Sequence, residues 1–299
     1  MPWTETIAST SAVTSPEGSR SDLPRGLVVG SDLGPRDQLV GTVAIRLAMM
    51  LETSVMLVHT LDTARDVPVR GPTTDVIERA IEARIQAKVT AARAALESER
   101  ARIGAIDRHG HVVVRVALAE GRPWEMLIDL AGELPRSWVV VGARAGASPA
   151  GATSERVLRQ ATGNVLVVPE GCNGALNGPV CVALDGGALS PRVLAAAREV
   201  ARALDRPLEV VHVHVVPERD ASAGPSGWMR DIGADVPSTP RWLALQSSSA
   251  ETIAEHLRGT ATSLLVVGSH RAPPSVGRAL GPAAAMLAQR SPVPVLIVR

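Results

Sequence analysis

The chain has no phenylalanine, no tyrosine and one lysine among its 299 residues, and each shortage excludes a class of function. Because aromatic rings are scarce, single-stranded nucleic acid would find few side chains on which its bases could stack. A P-loop requires Gly-Lys-Ser/Thr, but the one lysine, Lys88, stands between Ala87 and Val89. A P-loop ATPase is therefore excluded, and a lysine Schiff-base enzyme is disfavoured.

The net charge is also close to zero, cysteines are few, and long apolar runs are absent from the sequence. Lys and Arg number 31 against 30 Asp and Glu, so the chain lacks the field that would hold nucleic acid or an anionic membrane. No apolar run approaches the roughly 18 residues of a membrane-spanning helix. The two cysteines, Cys172 and Cys181, are too few for a disulfide scaffold and predict packed, reduced thiols, with a redox clip between them as the alternative.

The first 24 residues are rich in Ser, Thr, Pro, Glu and Gly. They lack the basic segment and apolar segment of a secretory signal. We expect Met1–Pro24 to be a flexible tail, and the cytoplasm to be the default location.

One order of strands and helices occurs twice along the chain. Gly26–Asp32 and Val180–Asp185 are short apolar runs that end in aspartate, and a helical stretch follows each. Further matching runs are Val55–His59 with Leu208–His212, Trp138–Gly142 with Leu264–Gly268, and Val165–Val168 with Val295–Val298. Apolar strands that alternate with helices predict parallel sheets covered on both faces. The expected domains span 25–170 and 179–299, joined by a turn-rich linker at 171–178.

The two halves differ in their middle segments. Half one has a helical pattern from about Thr73 to Arg102, with a start signal at Asp75. Its apolar stripe consists of Ile77, Ile81, Ile85, Val89, Ala92 and Leu96. In half two, Pro217–Pro240 is rich in Pro, Gly, Ser and Asp, which predicts a loop or a partly ordered insertion.

Ligands of open parallel sheets bind at the carboxyl ends of the strands, so the residues there are the candidates for a site. In half one they are Asp32, His59 and the loop after Gly142; in half two they are Asp185, His212 or His214, and the loop after Gly268. Glycines, Arg144, Thr153 and Ser154 in the half-one loop favour phosphate binding before a helix. An ordinary strand-to-helix turn is the alternative.

These features resemble the universal stress protein family in a tandem arrangement, over about 25–170 and 179–299. The aspartate-ended first strand, the Val-His pair and the Val-Val-Gly turn carry the resemblance. It implies two tandem open parallel five-stranded sheets (order 3-2-1-4-5) with helices on both faces, of the adenine-nucleotide alpha-hydrolase-like class. It also implies pairing through the last strand of each domain, as a pseudo-dimer or a homodimer. Members are small cytoplasmic stress proteins, and many bind ATP without being obvious enzymes.

The ATP-binding members carry Gly-x2-Gly-x9-Gly-Ser/Thr, and half one matches this motif in part. Gly142 takes the first position, Gly146 lies one residue beyond the second, and Gly151 stands four residues ahead of the third. The resemblance therefore implies a shortened ATP site, with Mg²⁺ if ATP is bound. Its implied residues are Asp32, Val58, His59, Gly142, Arg144, Gly146, Gly151, Thr153 and Ser154.

Half two keeps Gly268 and Gly281 at the motif's distance, but Arg271 and Pro282 replace its second glycine and its Ser/Thr. A bulky side chain and the loss of a backbone donor imply a degenerate site there. Asp185, like Asp32 in half one, resembles the family's adenine-contacting acid. Organisation of the turn, or capping of the helix that follows, is the alternative for both aspartates.

The remaining histidines and cysteines carry no predicted chemistry. His109-Gly-His111 is interpreted as a loop feature, and a metal site built from Asp185, His212, His214 and His270 is disfavoured. No nucleophile elbow is present, so no catalytic residue is predicted. Two hypotheses follow: a non-enzymatic, nucleotide-responsive stress module, or an interaction scaffold that has lost nucleotide binding and acts through dimer surfaces or another small ligand.

Overall fold

The structure, a computed structural model, describes residues 23–35, 37–61, 75–143, 152–214, 241–244, 249–269 and 280–299. The strands in these residues are β1 (Gly26–Gly30), β2 (Ser54–Leu61), β3 (Val114–Glu120), β4 (Ser137–Ala143), β5 (Val165–Pro169), β6 (Val180–Ala183), β7 (Leu208–His214), β8 (Arg241–Ala244), β9 (Leu264–Gly268) and β10 (Val295–Val298). The helices are α1 (Asp37–Leu51), α2 (Asp75–Gly104), α3 (Pro123–Glu133), α4 (Ala152–Gln160), α5 (Ser190–Ala203), α6 (Ser249–Arg258) and α7 (Pro282–Arg290).

All ten strands form one sheet in the order β3-β2-β1-β4-β5-β10-β9-β6-β7-β8. Within each half the order is 3-2-1-4-5 and every neighbouring pair is parallel, as predicted. The two predicted five-stranded sheets are thus confirmed, and they continue into each other as one sheet.

The halves join through their last strands. Strands β5 and β10 run antiparallel, and Leu166 pairs with Leu296 at the centre of the join. Both leucines are fully buried. This is the pseudo-dimer that the family resemblance implies, formed within a single chain; a homodimer stays a prediction.

The sheet is covered on both faces by helices, and each face has one apolar core that runs through both halves. Leu27 and Val29 of β1 belong to the core under α1, α2 and α5, whereas Val28 belongs to the core under α3, α4, α6 and α7. This alternation follows from the pleat of a strand, which sends successive side chains to opposite faces. Because both faces are buried, the central strands are nearly continuous Val and Leu runs.

The predicted linker at 171–178 lies against the core. Cys172 and Leu176 are buried there, and Arg46 Nη1 donates a hydrogen bond to the Gly174 carbonyl at 3.2 Å. A Cβ at Gly178 would lie 1.4 Å from the Ala261 carbonyl oxygen, so a side chain at this position would collide with backbone. The glycine in this linker therefore allows the linker backbone to pack directly against the backbone of half two.

The long helix of half one forms as α2, which begins at Asp75. Ala92 and Leu96 of its predicted stripe are buried, whereas Ile81, Ile85 and Val89 are half-buried. The side chain of Ile77 lies outside the described residues, as do Pro217–Pro240 and residues 1–22 of the predicted tail.

The two cysteines belong to different cores. Cys172 packs in the core under α1 and α5, and Cys181 packs in the core on the opposite face of the sheet. Both are free and buried, in agreement with packed thiols and not with a disulfide clip. Burial raises the pKa of the Cys172 thiol, which keeps it protonated and unreactive.

Candidate functional site in half one

A cavity of about 550 Å³ opens at the carboxyl ends of β1, β2, β4 and β5. Strand β1 pairs with β2 on one side and β4 on the other, so the chain order reverses at this point of the sheet. A crevice forms at such a reversal because the connections leave the two strands in opposite directions. Its volume lies within the range of small-molecule sites.

Six of the nine predicted site residues line this one cavity. They are Asp32, Val58, His59, Gly142, Thr153 and Ser154. The other three, Arg144, Gly146 and Gly151, lie outside the described residues. Residues that are up to 122 positions apart are thus brought together by the strand order that the family resemblance implies.

The floor of the cavity is apolar and needs a glycine. Val58 and Leu127 are buried, and Val40 closes the side toward α1. A Cβ at Gly142 would lie 3.1 Å from Val40 Cγ2, closer than an ordinary van der Waals contact, so Val40 would have to shift. Backbone therefore borders the cavity at Gly142, where a larger side chain would fill it.

The turn from β1 to α1 is built by two carboxyl groups. Asp32 Oδ1 accepts a hydrogen bond from the backbone N–H of Gly34 at 2.8 Å, an Asx turn. Asp37 Oδ2 accepts from Ser31 Oγ at 2.9 Å, from the N–H of Leu33 at 3.2 Å and from the N–H of Asp32. The turn-organising interpretation of Asp32 is thus confirmed, while its contact with a nucleobase stays a prediction.

His59 is held by the end of β1. Its Nδ1 lies 2.8 Å from the carbonyl oxygen of Ser31, and a carbonyl oxygen only accepts hydrogen bonds. Nδ1 therefore carries the proton, and in the neutral ring Nε2 is an acceptor. His59 lines the cavity, so its Nε2 is a hydrogen-bond acceptor available to a ligand when the ring is neutral.

Helix α4 begins at the cavity. Thr153 and Ser154 of its first turn line the wall, and Ser154 is 4% exposed. The first N–H groups of a helix have no partners within the helix and carry partial positive charge. This end of the cavity is therefore the one suited to an anionic group.

Half two repeats the framework with different side chains. His212 Nδ1 lies 2.6 Å from the Leu184 carbonyl, and Asp185 Oδ1 accepts from the N–H of Gly187 at 2.8 Å, as at His59 and Asp32. Leu184, 5% exposed, takes the place of Ser31. The other replacements around the turn are Ala183 for Gly30 and Ser190 for Asp37.

The structure also explains Pro282. It is the first residue of α7, directly after the N-cap Gly281. Proline is favoured there because its missing N–H would have no partner in the helix. The same residue lacks the backbone donor that the nucleotide motif would supply here, and the degenerate site in half two stays a prediction. Arg271 and His270 lie outside the described residues.

Two acidic residues in the half-one cavity were not predicted from the sequence. Asp37 and the exposed Glu170 line it together with Asp32. The repeat itself contained the signal for Asp37, since it follows Asp32 by five residues as Ser190 follows Asp185. Glu170 follows the apolar run of β5 directly and so falls at a strand end.

Of the other candidates, the structure describes the His109–His111 pair and only part of the half-two histidine group. His109 and His111 lie in the loop between α2 and β3, as predicted, with ring centroids 5.5 Å apart. Within the described part of the chain, no three His, Cys, Asp or Glu side chains lie close enough to share a metal ion. In the same residues, no helix is long and apolar enough to cross a membrane.

Comparison with known proteins decides the family. The model of the universal stress protein family matches residues 25–169 and 177–299. The chain belongs to the universal stress protein family. It is a tandem member, since the family model matches each half separately. No curated protein sequence matches the chain significantly.

Solved structures of similar length share this fold. A universal stress protein from Archaeoglobus fulgidus DSM 4304 is 16% identical, with 94% of this chain and 99% of that chain covered, at a TM-score of 0.64. Two Pseudomonas aeruginosa proteins, from strains UCBPP-PA14 and PAO1, are 14% and 12% identical with TM-scores of 0.61 and 0.57. They cover 93% of this chain each, and 94% and 93% of their own.

Proposed function

We propose that this universal stress protein is a non-enzymatic stress-response module that binds an adenine nucleotide in half one. The observation that carries the proposal is the cavity at the reversal of strand order, where Asp32, Val58, His59 and Gly142 lie together. An apolar floor at Val58 suits a base, and the first turn of α4 suits a phosphate. ATP is the proposed ligand, with Mg²⁺ bound through its phosphates.

The residues present fit such a ligand in shape. The cavity has room for a nucleotide, and backbone at Gly142 leaves space that a Cβ would take from it. Polar groups at opposite ends, the carboxyl groups of the β1–α1 turn and the α4 N-terminus, would hold the two ends of an elongated ligand.

For half two we propose a role without nucleotide. Leu184 and Ala183 add apolar side chains where half one has Ser31 and Gly30, and Pro282 removes a backbone donor. These replacements favour the scaffold hypothesis for this half, acting through a surface or another small ligand. We further propose that the domains span 25–170 and 179–299 and that the protein works in the cytoplasm, with homodimerisation, if any, adding to the internal pairing.

Equilibrium dialysis tests the proposal directly. The full chain is dialysed against ATP at concentrations up to the millimolar range, with and without Mg²⁺, and calorimetry measures the stoichiometry. We expect one nucleotide per chain and no steady release of ADP or phosphate. Absence of retention at millimolar ATP contradicts the nucleotide proposal, two nucleotides per chain contradict the assignment to half one, and steady hydrolysis contradicts the non-enzymatic role.

A further inference from the structure

One side chain of half two reaches into half one at the join between the two sheets. Arg299 directly follows β10, and its Nη2 donates a hydrogen bond to the carbonyl oxygen of Leu158. Its backbone N–H donates to Asn164 Oδ1 at 3.1 Å. Arg299 is 5% exposed, although arginine is almost never buried so deeply without a specific partner. Its contacts in half one are therefore the feature to explain.

Both acceptors belong to the end of α4. Leu158 is among the last four residues of that helix, whose carbonyls have no partners within the helix. Asn164 stands in the short connection to β5, and its own carbonyl accepts from the N–H of Val139 in β4 at 3.2 Å. A cation at the last carbonyls complements the negative end of a helix. Arg299 thus fixes the last turn of α4 and the connection that follows it.

This contact is made on one side of the join only. The antiparallel pairing of β5 with β10 relates the two halves by an approximate two-fold axis. By that relation Arg299 corresponds to Pro169, and Asn164 corresponds to Pro294. Proline has no backbone N–H and no polar side chain, so this pair cannot form the same hydrogen bonds. Half two therefore holds the end of a helix in half one, and the reverse contact is lost.

The helix that Arg299 contacts is the one that begins at the half-one cavity. Helix α4 has nine residues, so its two ends lie only about 14 Å apart. Leu158 is buried near one end, and Ser154 lines the cavity at the other. A helix of this length behaves as one rigid element, so a contact at its last turn also sets the direction of its first N–H groups.

We infer that Arg299 is a positioning residue for the half-one site, through which half two holds the phosphate-binding end of α4 in place. Arg299 is not among the described residues that line the cavity, so it acts through the helix. The inference rests on the proposed nucleotide function and gives half two a part in it. A ligand without phosphate does not use the α4 end of the cavity, so its binding should not depend on Arg299.

The test compares ATP with adenosine, which lacks the phosphates, by calorimetry on the full chain. Arg299→Met keeps the apolar stem and removes the guanidinium donors, whereas Arg299→Lys keeps a cationic donor. We expect Arg299→Met to bind ATP about fivefold more weakly than the wild type, the size of a helix-terminus interaction. Arg299→Lys should recover part of this loss, and adenosine affinity should change less than about twofold in both variants.

Leu296→Ala is the matched control. It removes apolar contacts from the same join and leaves both hydrogen-bond acceptors of Arg299 in place, so it should bind both ligands as the wild type does. An equal loss of ATP affinity in Leu296→Ala and Arg299→Met would assign the effect to stability and overturn the inference. So would an equal loss of ATP and adenosine affinity in Arg299→Met. That first comparison stands by itself where adenosine binds too weakly to be measured.

The failure of the inference and that of the proposed function give different results. Unchanged ATP binding in a folded Arg299→Met overturns the inference and leaves the proposed function intact, whereas no ATP binding by the wild type overturns both. Thermal unfolding verifies that each variant folds. If Arg299→Met does not fold, Asn164→Ala removes the acceptor of the Arg299 N–H and should weaken ATP binding in the same selective way.

Hydrogen exchange provides a measurement without ligand. In Arg299→Met, the backbone amides of α4 should exchange faster than in the wild type, because the helix end has lost its contact, while those of α7 should be unchanged. Equal changes in the two helices, or no change in α4, would overturn the positioning role.

Discussion

The two halves have the same framework and differ in what lies at the top of their sheets. In each, a histidine of the second strand bonds a carbonyl at the end of the first, and an aspartate forms an Asx turn with a glycine. In half one the neighbouring positions are Ser31 and Asp37; in half two they are Leu184 and Ser190. The comparison separates the residues that hold the shared turn from the residues that differ beside it: Ser31 and Asp37 line the half-one cavity, whereas Leu184 packs into the apolar core.

The largest expected effect comes from replacing the glycine at the end of the fourth strand in each half, which should change ATP binding in half one alone. A Cβ at Gly142 would lie 3.1 Å from Val40 Cγ2, and one at Gly268 would lie 3.0 Å from Val193 Cγ2. Gly142→Val and Gly268→Val therefore introduce matched crowding. We expect the first to abolish ATP binding and the second to leave it within about twofold, as measured by equilibrium dialysis.

A shared loss of stability is expected from both glycine variants, which makes each the control of the other. Equal loss of ATP binding in the two would mean that crowding acts through the fold, and would break the assignment of the site to half one.

The join between the halves is the next most sensitive place. Leu166 and Leu296 are fully buried and pair across β5 and β10. Replacement of either by alanine should lower the free energy of unfolding by about 2–5 kcal/mol. Urea unfolding followed by circular dichroism should show one transition in the wild type, because both cores run through both halves.

The double variant Leu166→Ala/Leu296→Ala sharpens this point. The two side chains share neighbours, so their effects should not add. Two separate transitions in the wild type would mean that the halves unfold independently, and additive losses in the double variant would mean that the two leucines are not coupled.

A reciprocal exchange at the first turn tests the difference between Asp37 and Ser190. Ser190→Asp places a second carboxyl group beside Asp185, and its pKa should rise as that of Asp37 does. A carboxyl group with a raised pKa in the folded state stabilises below its unfolded pKa of about 4 and loses that contribution as the pH rises through the folded value. The variant should therefore lose about 1 kcal/mol relative to wild type between pH 4.5 and 7.5.

Urea unfolding at both pH values measures this change, and Asp37→Ser is the mirror-image control. It should gain stability relative to wild type over the same interval. Identical pH profiles of Ser190→Asp and wild type would contradict the equivalence of the two turns.

The smallest effect concerns positions at which the halves are alike. Glu52 and Asp205 follow α1 and α5 in the left-handed region, each with φ 51°. The next N–H closes the helix end in both, from Thr53 to the Ala48 carbonyl and from Arg206 to the Ala201 carbonyl. Glycine at either position should raise the free energy of unfolding by about 0.5–1 kcal/mol, because it adopts this conformation without strain.

Thermal unfolding of Glu52→Gly and Asp205→Gly checks this expectation. Gains of similar size support a common framework, whereas a loss in one half alone would show that its turn depends on the side chain.

Much of this architecture could be predicted from the sequence because it repeats. Two copies of a strand ending in aspartate, with a histidine on the next strand, predicted two parallel sheets and placed Asp32, His59 and Gly142 at strand ends, and the family resemblance implied the strand order that brings them together. Pairing through the last strands was implied by the family resemblance alone, because periodicity does not reveal which sheet edges meet, and the antiparallel direction is known from the structure. Turn composition at 171–178 predicted a connection but not its packing, since a close approach such as that of Gly178 to Ala261 depends on distant backbone.

The carboxyl pair escaped prediction for a physical reason. Asp37 lies at the first position of a helix, where an acidic residue is ordinary. Its distinct character arises from burial and from the nearby Asp32, which are properties of the folded turn and not of the local sequence. The backbone of this turn was equally unpredictable from local sequence. Leu33 and Gly186 both adopt positive φ, although leucine rarely does so.

The meeting of β5 with β10 inside one chain has a consequence for how the molecule can vary. When identical subunits pair, every substitution appears on both sides of the axis, and the assembly comes apart on dilution. Here the partners are tethered and encoded separately. One half can carry Leu184 and Ser190 where the other carries Ser31 and Asp37, with the pairing maintained at any protein concentration.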